Sequence, residues 1–176
     1  MTSSNIRVRR AMLQDEASFR ALWKKYMEHQ FDEGGLQLPN EHNLDIYMNL
    51  FRAFVGGTEK GIVLMVSDGS KDVGVQMDGT IKGSFELSIG PYSMLYGIYY
   101  ESEYRNQGIT HMIHKIMTPW IRENGFTGGV TGILAGGKTV PQVLEHTIDR
   151  GPDAAGAVKP HAIQLYWEFE KPRDAD

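Results

Sequence analysis

The run from Met94 to Gly125 constrains the fold most, because its apolar period changes once, from that of a strand to that of a helix. Met94, Tyr96, Ile98 and Tyr100 alternate as the bulky residues of a strand do. Glu101 to Asn106 is polar and leads to Gly108. Beyond it Ile109, Met112, Ile113, Ile116, Met117, Trp120 and Ile121 recur at steps of three and four, one apolar stripe along a helix. Asn124-Gly125 is a pair that readily takes the left-handed conformation at a helix end. Pro119 falls inside the pattern and predicts a kink or a frayed last turn.

A strand that enters a helix through Arg105-Asn106-Gln107-Gly108-Ile109-Thr110 has a chemical use. The first amides of a helix lack partners within it and carry the positive end of its dipole, so the turn can hold a phosphate. Gly108 lets a ligand approach the backbone closely, and Arg105 adds a formal charge. This run resembles the acetyl-CoA loop of the GNAT N-acyltransferase superfamily, whose pattern is Arg/Gln-x-x-Gly-x-Gly/Ala. Arg105 and Gly108 match, and Thr110 stands where the family prefers Gly or Ala. The resemblance implies that Arg105, Asn106, Gln107, Gly108, Ile109 and Thr110 bind the cofactor. It also implies that the strand backbone at Ile98, Tyr99 and Tyr100 receives the pantetheine arm. In its order of elements the resemblance covers most of the chain; its specific part runs from Ile98 to Gly125.

The rest of the chain reads as follows. Asn5 to Arg10 is a short strand, followed by a helix whose buried stripe is Phe19, Leu22, Trp23 and Tyr26, with Asp15 near its start. A loop with Pro39 leads to a second helix, about His42 to Val55, striped by Leu44, Tyr47, Met48, Phe51 and Phe54. Ile62 to Val66 is a buried strand. Asp68-Gly69 and Asp78-Gly79 are hairpin signals, and Val73 to Met77 and Ile81 to Ile89 are further strand segments. After the central helix come a glycine-rich strand, Gly128 to Leu134, a helix through Val140, Val143, Leu144 and Ile148, and a final strand. That strand alternates Ile163, Leu165, Trp167 and Phe169 with polar residues. The order predicts an α/β (α+β) fold with a mixed central sheet and helices on both faces, and the resemblance implies one GNAT-like domain over residues 1–176.

At 176 residues, 41% hydrophobic, the chain suits one domain with a proper core. No apolar run is long enough to span a membrane, and MTSSNIRVRR has no signal-peptide character. With no cysteine there is no disulfide or thiolate site, and a cytoplasmic location is the plain expectation. A net charge of −4 without a basic run argues against nucleic acid and tilts toward a cationic amine. A homodimer stays open.

Two other motifs compete. Gly132 to Thr139 spells Gly-x-x-x-x-Gly-Lys-Thr, a Walker A pattern, but no acidic residue follows in the setting a magnesium site needs. Within the resemblance, Lys138 instead meets a phosphate of the cofactor, or is an exposed lysine in a glycine-rich turn. His111 and His114 lie one turn apart without a third ligand, so no metal is expected. His29 and His42 flank the first interhelical loop as surface residues.

The resemblance implies transfer of acetyl from acetyl-CoA to a primary amine, on a small molecule, a protein lysine or an N-terminus, by direct attack in a ternary complex. The amine must lose a proton. Glu86, among Phe85, Leu87 and Ile89, is the first candidate base; Glu101 and Glu103 follow. The thioester oxygen needs a donor, assigned to the backbone near Ile98 to Tyr100, so that Tyr100 joins the catalytic set. Where many relatives place a tyrosine to protonate the departing thiolate, this chain has His146, then Thr147. Tyr92, Tyr96, Tyr99 and Tyr100 are candidates to line the acceptor pocket. A CoA-binding module without catalysis is the alternative, and a P-loop nucleotide-binding protein the third reading.

Overall fold

The computed structural model of the chain describes residues 5–33, 37–80, 92–126, 128–134 and 162–168. These form β1 (Ile6–Arg10), α1 (Glu16–Asp32), α2 (Glu41–Val55), β2 (Gly61–Asp68), β3 (Lys71–Thr80), β4 (Tyr92–Tyr100), α3 (Ile109–Glu123), β5 (Gly128–Leu134) and β6 (Ala162–Glu168). The strands make one six-stranded sheet in the order β1-β2-β3-β4-β5-β6. Every neighbouring pair is antiparallel except β4 and β5, which are parallel and joined by α3.

The sheet is covered on both faces. On one, Phe19, Leu22, Trp23 and Met27 of α1 and Leu44, Met48, Phe51 and Phe54 of α2 pack on Val63, Met65, Val75 and Met77. On the other, Ile109, Ile113, Met117, Trp120 and Ile121 of α3 pack on Ile62, Leu64, Val66 and Val73. Thus β2, which reads as an unbroken apolar run, is buried on both sides.

Local chemistry sets the boundaries. The Asn40 side chain accepts a hydrogen bond from the Asn43 amide at 2.9 Å and starts α2. Asp15 is buried just before α1, taking two bonds from the Arg9 guanidinium at 2.6 and 2.9 Å and one from the Met12 amide at 2.7 Å. It ties the start of α1 to β1. Gly69, with φ +60°, makes the tight turn between β2 and β3 that Asp68-Gly69 predicts.

Asp78-Gly79, in contrast, is no turn. Both residues lie within β3, and Gly79 pairs with Gly61. The Phe54 ring rests on this glycine pair: a Cβ at either position would come within 2.2 or 2.3 Å of it. Glycine marks close approach here, not reversal. Nor does Pro119 end the central helix, which continues to Glu123 and closes with the Asn124 amide on the Trp120 carbonyl at 3.1 Å, before left-handed Gly125. The expected strand at Ile81 to Ile89 and the helix around Val140 to Ile148 lie outside the described residues. Among those described, no helix is long and apolar enough to cross a membrane, and no three His, Cys, Asp or Glu residues are grouped to hold a metal ion.

Candidate functional site

Two irregularities in β4 make an opening. The parallel pairing with β5 covers only Tyr92 to Leu95, opposite Gly128 to Thr131. Beyond it β4 continues to Tyr100 and β5 to Leu134, no longer paired to each other, so the two strands part toward their carboxyl ends. On the other side the ladder with β3 steps from Gly97 to Leu95, which makes Tyr96 a β-bulge. The bulge breaks the alternation expected for Met94, Tyr96, Ile98 and Tyr100. Tyr96 and Tyr99 pack on the α1–α2 face, whereas Ile98 and Tyr100 pack on the α3 face.

The turn into α3 lies at this same end of the sheet. Asn106 and Gly108 are both left-handed, with φ of +62° and +75°. Gly108 is the N-cap, and no side chain caps the helix. Its carbonyl already accepts from the His111 and Met112 amides at 3.0 and 3.3 Å, which leaves the first amides of α3 directed outward. A Cβ on Gly108 would meet nothing within 4 Å, so the demand for glycine comes from φ and from whatever approaches the turn. Arg105, exposed, donates through Nε to the Tyr100 carbonyl at 3.4 Å, and Gln107 folds back on the Glu103 carbonyl at 2.7 Å. Ile109 is buried in the α3 core, so only its backbone is available to a ligand, while Thr110 is exposed. An uncapped helix end beside a parted parallel strand pair suits a phosphate followed by an extended chain.

The structure redistributes the titratable candidates. Glu101 receives Lys25 of α1 and Lys71 of β3, each at 2.6 Å. The bonds from Lys25 and then Lys71 hold its carboxyl below the ordinary range, which makes it a poor base and a clamp between α1, β3 and the turn. Glu103 is exposed and lies 3.8 Å from Lys71. The Tyr100 hydroxyl is buried without a hydrogen-bond partner at good geometry; burial raises its pKa, partly offset by the nearby Thr110 side chain. It faces the core beneath α3, so any contribution of Tyr100 to the opening comes from its backbone. His111 and His114 are exposed. Glu86, Lys138 and His146 lie outside the described residues. The Walker spelling begins inside β5, where Gly132 pairs with Gln164 of antiparallel β6, instead of in a loop after the strand.

Three features escaped the sequence reading. Asp78 is 3% exposed on β3, bonded by the Gln76 amide at 2.7 Å, and burial pushes its carboxyl up to about 7. Gly97 follows the bulge under the Tyr26 ring: a Cβ there would lie 2.6 Å from Tyr26 and 2.9 Å from Trp23. The Tyr26 hydroxyl donates to the Tyr96 carbonyl at 3.3 Å, and His29, half-buried, stands edge-on to Tyr99 with ring centroids 6.5 Å apart. An isolated glycine inside a strand pattern is a signal of a bulge or close approach, so Gly97 was readable; His29 offered none.

Neither a protein-family model nor a curated protein matches the sequence. Solved structures do match the fold. An aminoglycoside antibiotic 6'-N-acetyltransferase from Acinetobacter baumannii superposes with a TM-score of 0.61 at 13% identity, covering 88% of this chain and 95% of that one. A predicted acetyltransferase with acetyl-CoA from Clostridium acetobutylicum gives 0.62 at 14% identity, covering 87% and 95%. A GNAT family acetyltransferase from Brucella melitensis, in complex with acetyl-CoA, gives 0.52 at 15% identity, covering 73% and 76%. With its bulged β4, the parting of β4 from β5 and the glycine turn into α3, the chain has the GNAT N-acetyltransferase fold.

Proposed function

We propose that the chain, as one domain over residues 1–176, is an N-acetyltransferase that passes the acetyl group of acetyl-CoA to a primary amine on a small molecule. The observation that carries this reading is the parting of β4 from β5 beside the uncapped, left-handed glycine start of α3. The α3 amides and Arg105 bind the cofactor's pyrophosphate, and the β4 backbone from Ile98 to Tyr100 takes the pantetheine arm as a further strand would be taken. The backbone donors beside the bulge stabilise the thioester oxygen as it gains charge. Lys25 and Lys71 balance Glu101 and Glu103 at this end of β4, so the Arg105 charge faces a polyanionic cofactor without carboxylate repulsion from Glu101. The small-molecule acceptor is supported by the likeness to an aminoglycoside 6'-N-acetyltransferase and by the net charge of −4.

Release of CoA thiol from acetyl-CoA, measured across a panel of primary amines, tests this. Amine-dependent release that Gly108→Trp abolishes is the expected result. Binding of acetyl-CoA with no release for any amine would make the chain a cofactor-binding module instead.

A further inference from the structure

The α1–α2 face of the β4 bulge is largely closed. Tyr26 lies on the backbone at Gly97, packs against Trp23 at 4.9 Å between centroids, and donates to the Tyr96 carbonyl. An acceptor cannot come down on the bulge from directly above. One helical turn beyond Tyr26 along α1 stands His29, edge-on to Tyr99. Tyr99 is half-buried on this face and belongs to the strand that leads into the opening. An imidazole that can accept a proton and an aromatic ring that attracts a cation therefore stand together where an ammonium would enter.

We infer that His29 takes the proton from the incoming ammonium while Tyr99 orients it, an assignment that rests on the acetyltransferase reading. The ammonium gives one proton to the imidazole. The freed lone pair attacks the thioester carbonyl carbon and the C–N bond forms. The C–S bond then breaks with its electron pair going to sulfur. The proton still in excess on nitrogen passes to the thiolate, and the imidazolium returns its own to solvent. The products are the amide, the CoA thiol and one proton.

Around His29 on its own helix, Lys25, Tyr26, Asp32 and Glu33 lie one turn away, and Glu28 is its neighbour in sequence. Lys25 is held by Glu101 and lies near Tyr99. Tyr26 is half-buried and donates to the Tyr96 carbonyl. Asp32 and Glu28 are exposed. His29 stands with its ring against that of Tyr99, next to the opening.

The test uses acetyl-CoA with ethylenediamine and with sisomicin as amine probes, from about pH 6 to about pH 9, on the full chain and on His29→Gln and His29→Ala. In the expected result, kcat/KM for the amine falls about 100-fold in both variants, and its rise with pH is flattened. The KM for acetyl-CoA and the acetyl-CoA-induced rise in Tm stay as in the parent, and free imidazole restores turnover to His29→Ala. Turnover and pH profile unchanged in His29→Gln would overturn the assignment while leaving the acetyltransferase reading intact. A parent protein whose Tm rises with acetyl-CoA but which releases no thiol with either probe would overturn both.

Discussion

Asp78 shows how much one side chain can bear. Its carboxyl is buried on the α3 face with the Gln76 amide as its bond, and its pKa is raised to about 7. An acid whose folded pKa lies above its unfolded value binds more protons in the folded state, so stability falls as pH rises from about 4 to about 7. Asp78→Asn removes that dependence. In urea unfolding followed against pH, the variant is expected to be more stable than the parent near pH 8, by up to about 4 kcal/mol, with the difference shrinking below about pH 4. Equal pH dependence in both proteins would refute this. At Gly97 the issue is space. A methyl group must displace the Tyr26 ring, so Gly97→Ala is expected to cost about 1–3 kcal/mol in denaturant unfolding. It also disturbs the bulge on which acceptor approach depends.

At the scale of the element, α1 is fastened at its start and at its middle. Its start is tied to β1 by Asp15, whose carboxyl is held below its ordinary range by Arg9 first and by the Met12 amide as well. A depressed carboxyl contributes stability above the unfolded pKa and loses it as pH falls through the folded value. Arg9 is more than a third exposed, so solvent screening limits the effect. Asp15→Asn should therefore cost about 1 kcal/mol near neutral pH and almost nothing at about pH 2, as thermal unfolding in the two conditions would register. Further along, Lys25 reaches Glu101 at the end of β4. Glu101→Gln frees the turn from α1 and β3, and the expected result is a KM for acetyl-CoA raised several-fold with kcat nearly kept. The reverse split would make Glu101 a participant in the chemistry.

For the whole molecule, the periodic patterns carried most of the fold. The apolar stripes of α1, α2 and α3 lie on the sheet faces that the order of elements requires, and β5 spans the residues its glycine-rich pattern marks. What the patterns missed are the places where two segments meet. Asp78-Gly79 has the spelling of a turn, yet the Phe54 ring from a distant helix decides its conformation. The β4 bulge turns Tyr96 and Ile98 to opposite faces, which no reading of alternation can foresee. Glu101 was legible as an acid but not as one neutralised by Lys25 and Lys71, which are remote in sequence. The turn into α3 was legible because it is local: Arg105, Gly108 and the helix that follows are contiguous. The contact of His29 with Tyr99 joins α1 to β4, and His29 acquires its place only through that packing.

Thermal unfolding with and without acetyl-CoA is the decisive test of the proposal that the parted strands and the Gly108 turn hold this cofactor. A ligand at about 100 times its Kd that binds only the folded state adds roughly 2.7 kcal/mol. Acetyl-CoA is expected to raise the Tm of the parent protein and to leave unmoved that of Gly108→Trp, whose ligand-free Tm is itself lower because a side chain at φ +75° is strained even where space is open. A Tm that acetyl-CoA does not raise in the parent, or raises equally in Gly108→Trp, would contradict the proposal.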